Sequence, residues 1–129
     1  MNPANTPTPN CQEGWTMPQL RRVATALARG REPEDVAREV GRSVCAMHSA
    51  LRRGGWSWRQ LLQHGRAARL ERAAERVEGG EPPERVAREW GISELALQRR
   101  AERVGIHWPS VLERHRDNRA GQLSLFEAA

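Results

Sequence analysis

The sequence predicts an all-α protein made of two similar units. Apolar residues recur three and four positions apart along most of the chain, which is typical of amphipathic helices. No segment alternates apolar and polar residues as a half-buried strand does. The chain also repeats itself, because a shift of 50 positions aligns 20–66 with 70–116 without a gap. A repeat at constant offset indicates two copies of one structural unit.

Capping residues and glycines mark three helices in the first copy. Thr16 with Gln19 three positions later is a capping-box pattern, and Pro18 is tolerated in a first turn. Ser43 is likewise of a residue type preferred at helix N-caps. The helices are predicted to start at Thr16, Pro33 and Ser43 and to end at Gly30, Gly41 and Gly54.

The second copy has the same pattern, and a further helix connects the two copies. Its own helices are predicted over 70–77, 86–90 and 93–103. Between the copies, Ser57 and Gln60 form another capping-box pattern, which predicts a connecting helix with a kink at Gly65. The predicted organisation is a disordered tail over 1–14, unit 1 over 15–56, the connecting helix over 57–79, unit 2 over 80–116 and a flexible tail over 117–129.

Length and composition exclude several classes of protein. The chain has 129 residues, and no apolar run approaches the ~20 residues of a membrane helix. The first residues lack the basic start and apolar stretch of a secretory signal. Two cysteines, Cys11 and Cys45, cannot build a disulfide framework, which favours a reducing, cytoplasmic location. All 21 basic residues are arginine and the net charge is +5, which favours an acidic polymer such as nucleic acid as the partner.

The densest part of the repeat, 33–43 and 83–93, has the layout of a helix-turn-helix motif. Ala37 and Ala87 are predicted where the two helices approach most closely, since a larger side chain would separate them. Gly41 and Gly91 are predicted in the turn, because glycine adopts the left-handed conformation without steric cost. The alternative is a helical repeat in which these residues serve only packing. The positive charge favours DNA binding over that alternative.

These residues resemble the homeodomain-like trihelical helix-turn-helix superfamily. The first copy looks like the Myb/SANT-like units of bacteria and phages at 15–16 (WT), 36–43 (VAREVGRS) and 50–53 (ALRR). The two copies joined by a helix, with GWS at 55–57 and GIH at 105–107, are similar to the AraC-type tandem domain. The chain departs from the AraC pattern in the short loop before Gly55 and Gly105 and in the missing aromatic-plus-basic ending of each recognition helix.

The resemblance implies that the third helix of each copy enters the DNA major groove and reads base edges. In the first copy the implied DNA contacts are Arg42, Ser43, Val44, Cys45, His48, Ser49, Arg52 and Arg53. In the second copy the outward positions are Ile92, Ser93, Glu94, Leu95, Gln98, Arg99, Glu102 and Arg103. Of these, the candidate DNA contacts are Ser93, Gln98, Arg99 and Arg103.

The charge differs between the two copies. Residues 14–66 hold ten arginines against four acidic residues, a balance of +6. Residues 67–116 hold ten arginines against nine glutamates, a balance of +1. The first copy is therefore the predicted main DNA reader, and the second makes fewer base contacts or binds protein.

The sequence gives little support to metal binding or catalysis. Cys45 and His48 form a Cys-x-x-His pair, but no second pair completes a zinc site. His64, His107 and His115 have no neighbouring nucleophile or paired carboxylates, and no glycine-rich phosphate loop is present. The sequence therefore predicts neither an enzyme nor a metal or cofactor site. The tryptophans predicted to pack in the two cores are Trp15, Trp58, Trp90 and Trp108, whereas Trp56 is left open.

The C-terminal tail carries a short apolar motif, Gln122-Leu123-Ser124-Leu125-Phe126. It looks like the peptide by which bacterial proteins dock on the DNA polymerase sliding clamp, whose pattern is Gln-Leu-Ser/Asp-Leu-Phe. The resemblance implies that Gln122 forms hydrogen bonds in a small pocket of the clamp, that Leu123 docks beside it, and that Leu125 and Phe126 fill a hydrophobic cleft. The alternative is that the three apolar side chains fold back onto the helical core.

Together these patterns predict a small bacterial or phage protein that binds double-stranded DNA. Its tail would dock on the sliding clamp in replication, mobile-element maintenance or replication-coupled control, at the nucleoid. The expected partners are duplex DNA and the clamp, with no membrane and no small-molecule ligand. Two other functions stay open, a stand-alone AraC-like transcription regulator and a helical adaptor that binds only proteins.

Overall fold

The computed structural model describes residues 14–128, and the side chains of residues 14–123. Over this range the chain forms seven α-helices and no β-strand, so the predicted all-α class is confirmed. None of these helices is long and apolar enough to cross a lipid bilayer. The helices are α1 (Met17–Ala28), α2 (Pro33–Val40), α3 (Val44–Arg53), α4 (Trp58–Glu78), α5 (Pro83–Glu89), α6 (Glu94–Arg103) and α7 (Trp108–Ala128).

The chain divides into two compact units, with the boundary between Ala68 and Arg69. This boundary falls within α4, which runs as one helix through Gly65. Unit 1 therefore contains α1 to α3 and the first part of α4, and unit 2 contains the remainder of α4 and α5 to α7. The connecting helix predicted over 57–79 is present as α4.

Unit 1 is built around one cluster of apolar side chains contributed by all four of its helices. The first helix starts at the predicted cap, because Oγ1 of Thr16 accepts a hydrogen bond of 3.2 Å from the backbone N–H of Gln19. Removing the apolar stripes from water is the main force that holds these short helices together. The buried residues of this first core are Leu20, Val23, Ala24, Leu27, Val36, Ala37, Met47, Ala50, Leu51 and Leu61.

Unit 2 has a corresponding core, with a tryptophan at its centre. Trp108 is only 1% exposed and packs with side chains from α4 to α7, as predicted for a core residue. Trp90, at the end of α5, is half-buried against the same core. The other fully enclosed members of this second core are Leu70, Ala73, Ala74, Val77, Val86, Ala87, Leu97, Ala101 and Val111.

A glycine in the left-handed conformation closes the turn after α2 and after α5. Gly41 has a φ of +67° and Gly91 a φ of +68°, as predicted for the turn positions. A Cβ at either residue would meet no atom within 4 Å, so it is the backbone conformation, and not space, that favours glycine here.

The sequence repeat is also a repeat of helix limits. Helices α2 and α5 start at Pro33 and Pro83, and the helices that end the two units start at Trp58 and Trp108. Each pair of starts is separated by the 50 positions of the sequence offset. Ala37 and Ala87 are both buried, as the predicted close approach of the helices requires.

The segments predicted as tails need one correction. Of the N-terminal tail predicted over 1–14, only Gly14 lies within the described residues. The flexible tail predicted over 117–129 is wrong for 117–128, because α7 continues through it to Ala128. Its side chains cap the end of α4: Nδ2 of Asn118 donates a 2.9 Å hydrogen bond to the carbonyl oxygen of Glu78. Such contacts satisfy carbonyls that every helix leaves unpaired in its last turn.

Candidate nucleic-acid interface

Helix α3 of unit 1 buries one face and presents the other to solvent. Oγ of Ser43 accepts a 3.0 Å hydrogen bond from the backbone N–H of Ala46, which starts the helix at the predicted cap. Ala46, Met47, Ala50 and Leu51 then face the core. The helix contains no acidic residue, and Arg52 and Arg53 are exposed in its last turn.

The structure brings most of the predicted DNA contacts of the first copy onto this outer side of α3. Cys45, His48, Ser49 and Arg52 are spaced by three and four residues, which places them on one helix face. The exposed candidates are Ser43, Cys45, His48, Arg52 and Arg53, and the half-buried ones are Arg42, Val44 and Ser49. We call this surface the α3 face.

The predicted orientation of the Val44 side chain is wrong. The predicted orientation is outward, but the side chain packs against the first core. Val44 precedes Met47 by three residues and Leu51 by seven, so it belongs to the buried stripe of α3. A contact between Val44 and a thymine methyl group is therefore not available in this conformation.

Two candidate side chains of the α3 face lie against tryptophans. The Arg42 guanidinium carbon is 4.9 Å from the centroid of the Trp15 ring, in cation–π geometry. The rings of His48 and Trp58 stack with centroids 4.6 Å apart. Both tryptophans also pack against the first core, so the predicted core role is confirmed for each. Their second role, as supports for Arg42 and His48, has no signal in the residue spacing.

Helix α6 is the counterpart of α3 in unit 2, and its outer face is mixed in character. Oγ of Ser93 caps the helix by accepting a 3.1 Å hydrogen bond from the N–H of Ala96. Arg99 and Arg103 are exposed, and Gln98 is half-buried. The same helix exposes Leu95 (52%), with Val104 (39%) just beyond its end. A shallow groove of about 290 Å³ is lined by Ser93, Leu95, Ala96, Arg99, Arg100 and Arg103.

The predicted orientation of the Ile92 side chain is also wrong. The predicted orientation is again outward, yet the side chain is half-buried against the second core. Ile92 directly precedes the cap Ser93, and an apolar residue at that position commonly packs on the first turns of the helix it introduces. The buried Leu97, four residues after the cap, belongs to the same core. Residue 42, the equivalent position in unit 1, is an arginine and lies on Trp15 instead.

Two arginines near these helices form ion pairs with glutamates. In unit 1, Arg31 makes a two-point contact with Glu39, which lowers the pKa of that carboxyl group. In unit 2, Arg76 binds two carboxylates, with Nε 2.7 Å from Oε2 of Glu81 and Nη1 2.6 Å from Oε2 of Glu89. The hydrogen bonds from Arg76 lower the pKa of Glu89. The ionised form is therefore favoured for Glu39 and Glu89, and each of the three glutamates is paired with an arginine.

The C-terminal motif lies in the last turns of α7. The side-chain amide of Gln122 lies beside Gly80, since a Cβ built on that glycine would be 3.2 Å from Nε2. Leu123 is 60% exposed, so it does not fold back onto the core. The backbone of Ser124, Leu125 and Phe126 is helical, and their side chains lie outside the described residues.

Comparisons with known proteins supply no relative for this chain. A scan against protein-family models and searches of curated proteins and of solved structures each found no match. Among the described residues, no group of three or more His, Cys, Asp or Glu side chains is arranged to hold a metal ion. The functional assignment must therefore come from the two exposed helix faces and the C-terminal motif.

Proposed function

We propose that the protein binds duplex DNA through two helix-turn-helix units, with the α3 face of unit 1 as the main reading surface. The observation that carries the proposal is the α3 face itself. It is the outer side of a capped helix, follows a left-handed glycine turn, and combines two exposed arginines with no acidic side chain. Homeodomain-like and helix-turn-helix proteins place such a helix in the major groove.

The residues of the α3 face have complementary tasks in this proposal. Cys45, His48 and Ser49 lie in the first half of the helix, where side chains reach base edges. Arg52 and Arg53 follow in the last turn, where a guanidinium can contact guanine or bind phosphate in a two-point geometry. Stacking on Trp58 restricts the ring of His48, so DNA binding costs this side chain less entropy.

Unit 2 has a smaller part in the proposal. Its α6 carries Arg99 and Arg103, but Glu94 and Glu102 on the same short helix repel phosphate. The exposed side chains of Leu95 and Val104 add apolar surface that DNA phosphates do not use. We therefore assign α6 a secondary DNA contact, with a protein partner as the alternative use of its apolar residues.

Equilibrium binding to duplex DNA tests this proposal. Fluorescence anisotropy with the full chain should show binding that weakens steeply as salt rises, because phosphate contacts release counterions. The double variant R52A/R53A should bind at least about tenfold more weakly. The matched control R66A/R116A removes the same charge from two exposed repeat-equivalent positions and should bind like the wild type.

Two results would contradict the proposal. Equal weakening by R52A/R53A and R66A/R116A would mean that net charge, and not the α3 face, drives the interaction. No duplex binding at low salt would leave the helical adaptor as the remaining function.

We further propose that the C-terminal segment docks on the DNA polymerase sliding clamp. The support is the five-residue match at 122–126 and the exposure of Leu123 at the end of α7. Docking as an extended peptide requires the last turns of α7 to unwind. Gly121, directly before the motif, weakens the helix at this point by about 1 kcal/mol relative to alanine. The tail would then hold the DNA-binding units near replicating DNA at the nucleoid.

Retention of a bacterial sliding clamp on the immobilised full chain tests this second proposal. The variant L125A/F126A should lose retention, because the side chains implied to fill the cleft are gone. The control L95A removes an exposed leucine of the same size from α6 and should retain the clamp. Equal retention by both variants would remove the clamp from the proposed function and leave a stand-alone DNA-binding regulator.

A further inference from the structure

A group of arginines covers the outer side of α1 in unit 1, away from the α3 face. They line a shallow, open groove of about 360 Å³. Arg21, Arg22, Thr25 and Arg29 are all exposed. We call these four residues the outer α1 face. The complete lining of the groove is Arg21, Arg22, Thr25, Ala26, Arg29 and Arg31, with no acidic side chain among them.

The outer α1 face and the α3 face lie on different sides of unit 1. The buried stripe of α1 runs through Leu20, Val23, Ala24 and Leu27. At about 100° per residue, the arginines of α1 fall on the side of the helix opposite to this stripe. Helix α3 packs on the same core with its own apolar side and turns its arginines away from it. A DNA segment bound along α3 therefore does not occupy the groove on α1.

Helix stability does not account for Arg21 and Arg22. They lie in the first half of α1, where a basic residue gains nothing from the helix dipole. Helix α1 contains no acidic residue to pair with them. Within the described part of the chain, no ion pair holds Arg21 or Arg22.

Unit 2 shows that the fold does not require the basic groove. The six positions 50 residues later are Glu71, Arg72, Glu75, Arg76, Gly79 and Glu81. Four arginines in unit 1, of which Arg31 is paired with Glu39, thus correspond to two arginines and three glutamates in unit 2. Arg76 is moreover bound to Glu81 and Glu89. The same helical framework therefore forms with and without the basic surface.

The lining of the groove favours phosphate as its ligand. Arginine guanidinium groups and a threonine hydroxyl are donors that DNA-binding proteins direct at backbone oxygens. The groove has no aromatic or large aliphatic side chain, whereas a protein partner usually needs such an anchor. We propose that the outer α1 face binds the phosphate backbone of a second DNA segment, on the side of unit 1 away from α3.

The variant R21E/T25E tests the inference with minimal risk to the fold. It gives unit 1 the residue types that unit 2 carries at the equivalent Glu71 and Glu75. The matched control R66E/Q63E changes the net charge by the same amount on the exposed side of α4. Thermal melting followed by circular dichroism establishes that both variants are folded. A neutral variant, R21Q/R22Q, removes the two arginines without adding negative charge.

Binding is measured with the full chain and an excess of a duplex of about 12 base pairs, roughly one helical turn. Native mass spectrometry counts the duplexes bound to each protein, and anisotropy gives the two affinities. Wild type and R66E/Q63E should bind two duplexes. R21E/T25E should keep the tighter site and weaken binding at the second site at least about tenfold. The slope of the logarithm of the binding constant against the logarithm of the salt concentration should fall by about 0.9 for each phosphate that the protein no longer neutralises. R21Q/R22Q should weaken the second site in the same direction.

The outcomes separate this inference from the role of α3. A second site unaffected by R21E/T25E, or no second site, overturns the inference and leaves the proposed function intact. A single site that R21E/T25E abolishes and R52A/R53A does not would overturn the assignment of α3 and, because no second segment is bound, this inference as well. Binding of a polyglutamate peptide that R21E/T25E abolishes, with displacement of neither duplex, would show an acidic protein surface as the ligand of α1, which also overturns the inference.

Discussion

Nδ1 of His115 lies 2.9 Å from the carbonyl oxygen of Val77, and this hydrogen bond joins α7 to the last turn of α4. Because the carbonyl only accepts, the ring nitrogen must carry the proton and donate. Arg114 on one side of His115 pairs with the carboxylate of Glu78 at 3.1 Å, and Asn118 donates to the carbonyl of Glu78. Three side chains of α7 thus cap the C-terminus of α4.

Replacing His115 with alanine should destabilise the protein by about 1 kcal/mol. The substitution removes one of the two hydrogen bonds that the Val77 carbonyl accepts, since the backbone N–H of Gly80 also donates to it. A single hydrogen bond of this kind contributes about 0.5–1.5 kcal/mol. Urea unfolding monitored by circular dichroism measures the change. His64→Ala, at an exposed position of α4, is the control and should be close to neutral. Equal stabilities of the two variants would show that the contact to Val77 contributes nothing.

Replacing Gly65 with alanine should also destabilise the protein, although alanine normally stabilises a helix. Gly65 occupies the position 50 residues before His115, and a Cβ there would overlap the carbonyl oxygen of Leu27 and lie 3.3 Å from Cα of Gly30. Helix propensity alone predicts a gain of about 1 kcal/mol. Overpacking against backbone predicts a loss of about 1–3 kcal/mol.

The sign of the change in unfolding free energy on Gly65→Ala therefore shows whether helix propensity or packing dominates at this position. Urea unfolding of Gly65→Ala gives the sign, and Gln63→Ala on the exposed side of the same helix is the control. A more stable Gly65→Ala would mean that α4 and α1 are further apart than described.

Local signals in the sequence were enough to predict much of this fold. Caps such as Thr16 and Ser43 act within three residues, and their hydrogen bonds occur at the predicted positions. The apolar stripes also have a fixed helical spacing. Contacts between distant segments could not be predicted in the same way. The extension of α7 depends on His115 and Asn118 reaching carbonyls 38 and 40 residues earlier, which no local pattern encodes.

The errors at the candidate site have the same origin. Val44 and Ile92 flank the caps, where the helical phase alone does not decide between core and solvent. Their burial is set by how the preceding turn places them against the other helices. The contact of Arg42 with Trp15 likewise joins residues 27 positions apart. Sequence spacing therefore identified the helix that carries the candidate residues but not the orientation of each side chain on it.

Acid should destabilise the wild type more steeply than the variant Glu89→Gln. The hydrogen bond from Arg76 lowers the pKa of Glu89 below its ordinary value of 4.5. A carboxyl group with a lowered folded-state pKa contributes stability that is present above the unfolded pKa and is lost as the pH falls through the folded pKa. Unfolding free energies measured from about pH 6 to about pH 3 should therefore converge at low pH. Unfolding free energies of the wild type and Glu89→Gln that stay parallel down to low pH would contradict the assignment.

The ion pairs of the two units should be interchangeable. Ala26, Arg31 and Glu39 of unit 1 correspond to Arg76, Glu81 and Glu89 of unit 2, so the arginine sits at a different position in each unit. Arg76→Ala removes the arginine that binds both Glu81 and Glu89 and should lower the melting temperature. The double variant R76A/E81R recreates the arrangement of unit 1 and should restore it. A melting temperature that stays low in the double variant would mean that Arg76 acts through packing of its stem and not through charge.

Arg52→Ala should weaken duplex binding more than Arg99→Ala. Both side chains are exposed on the outer side of a helix after a left-handed glycine turn, but their surroundings differ in charge. Arg52 has Arg53 beside it on a helix free of acidic residues, whereas Arg99 shares α6 with Glu94 and Glu102. The expected losses of binding free energy are about 1–3 kcal/mol for Arg52→Ala and below about 1 kcal/mol for Arg99→Ala. Anisotropy titrations with one duplex at one salt concentration compare them directly, and the reverse order would make α6 the main reading helix.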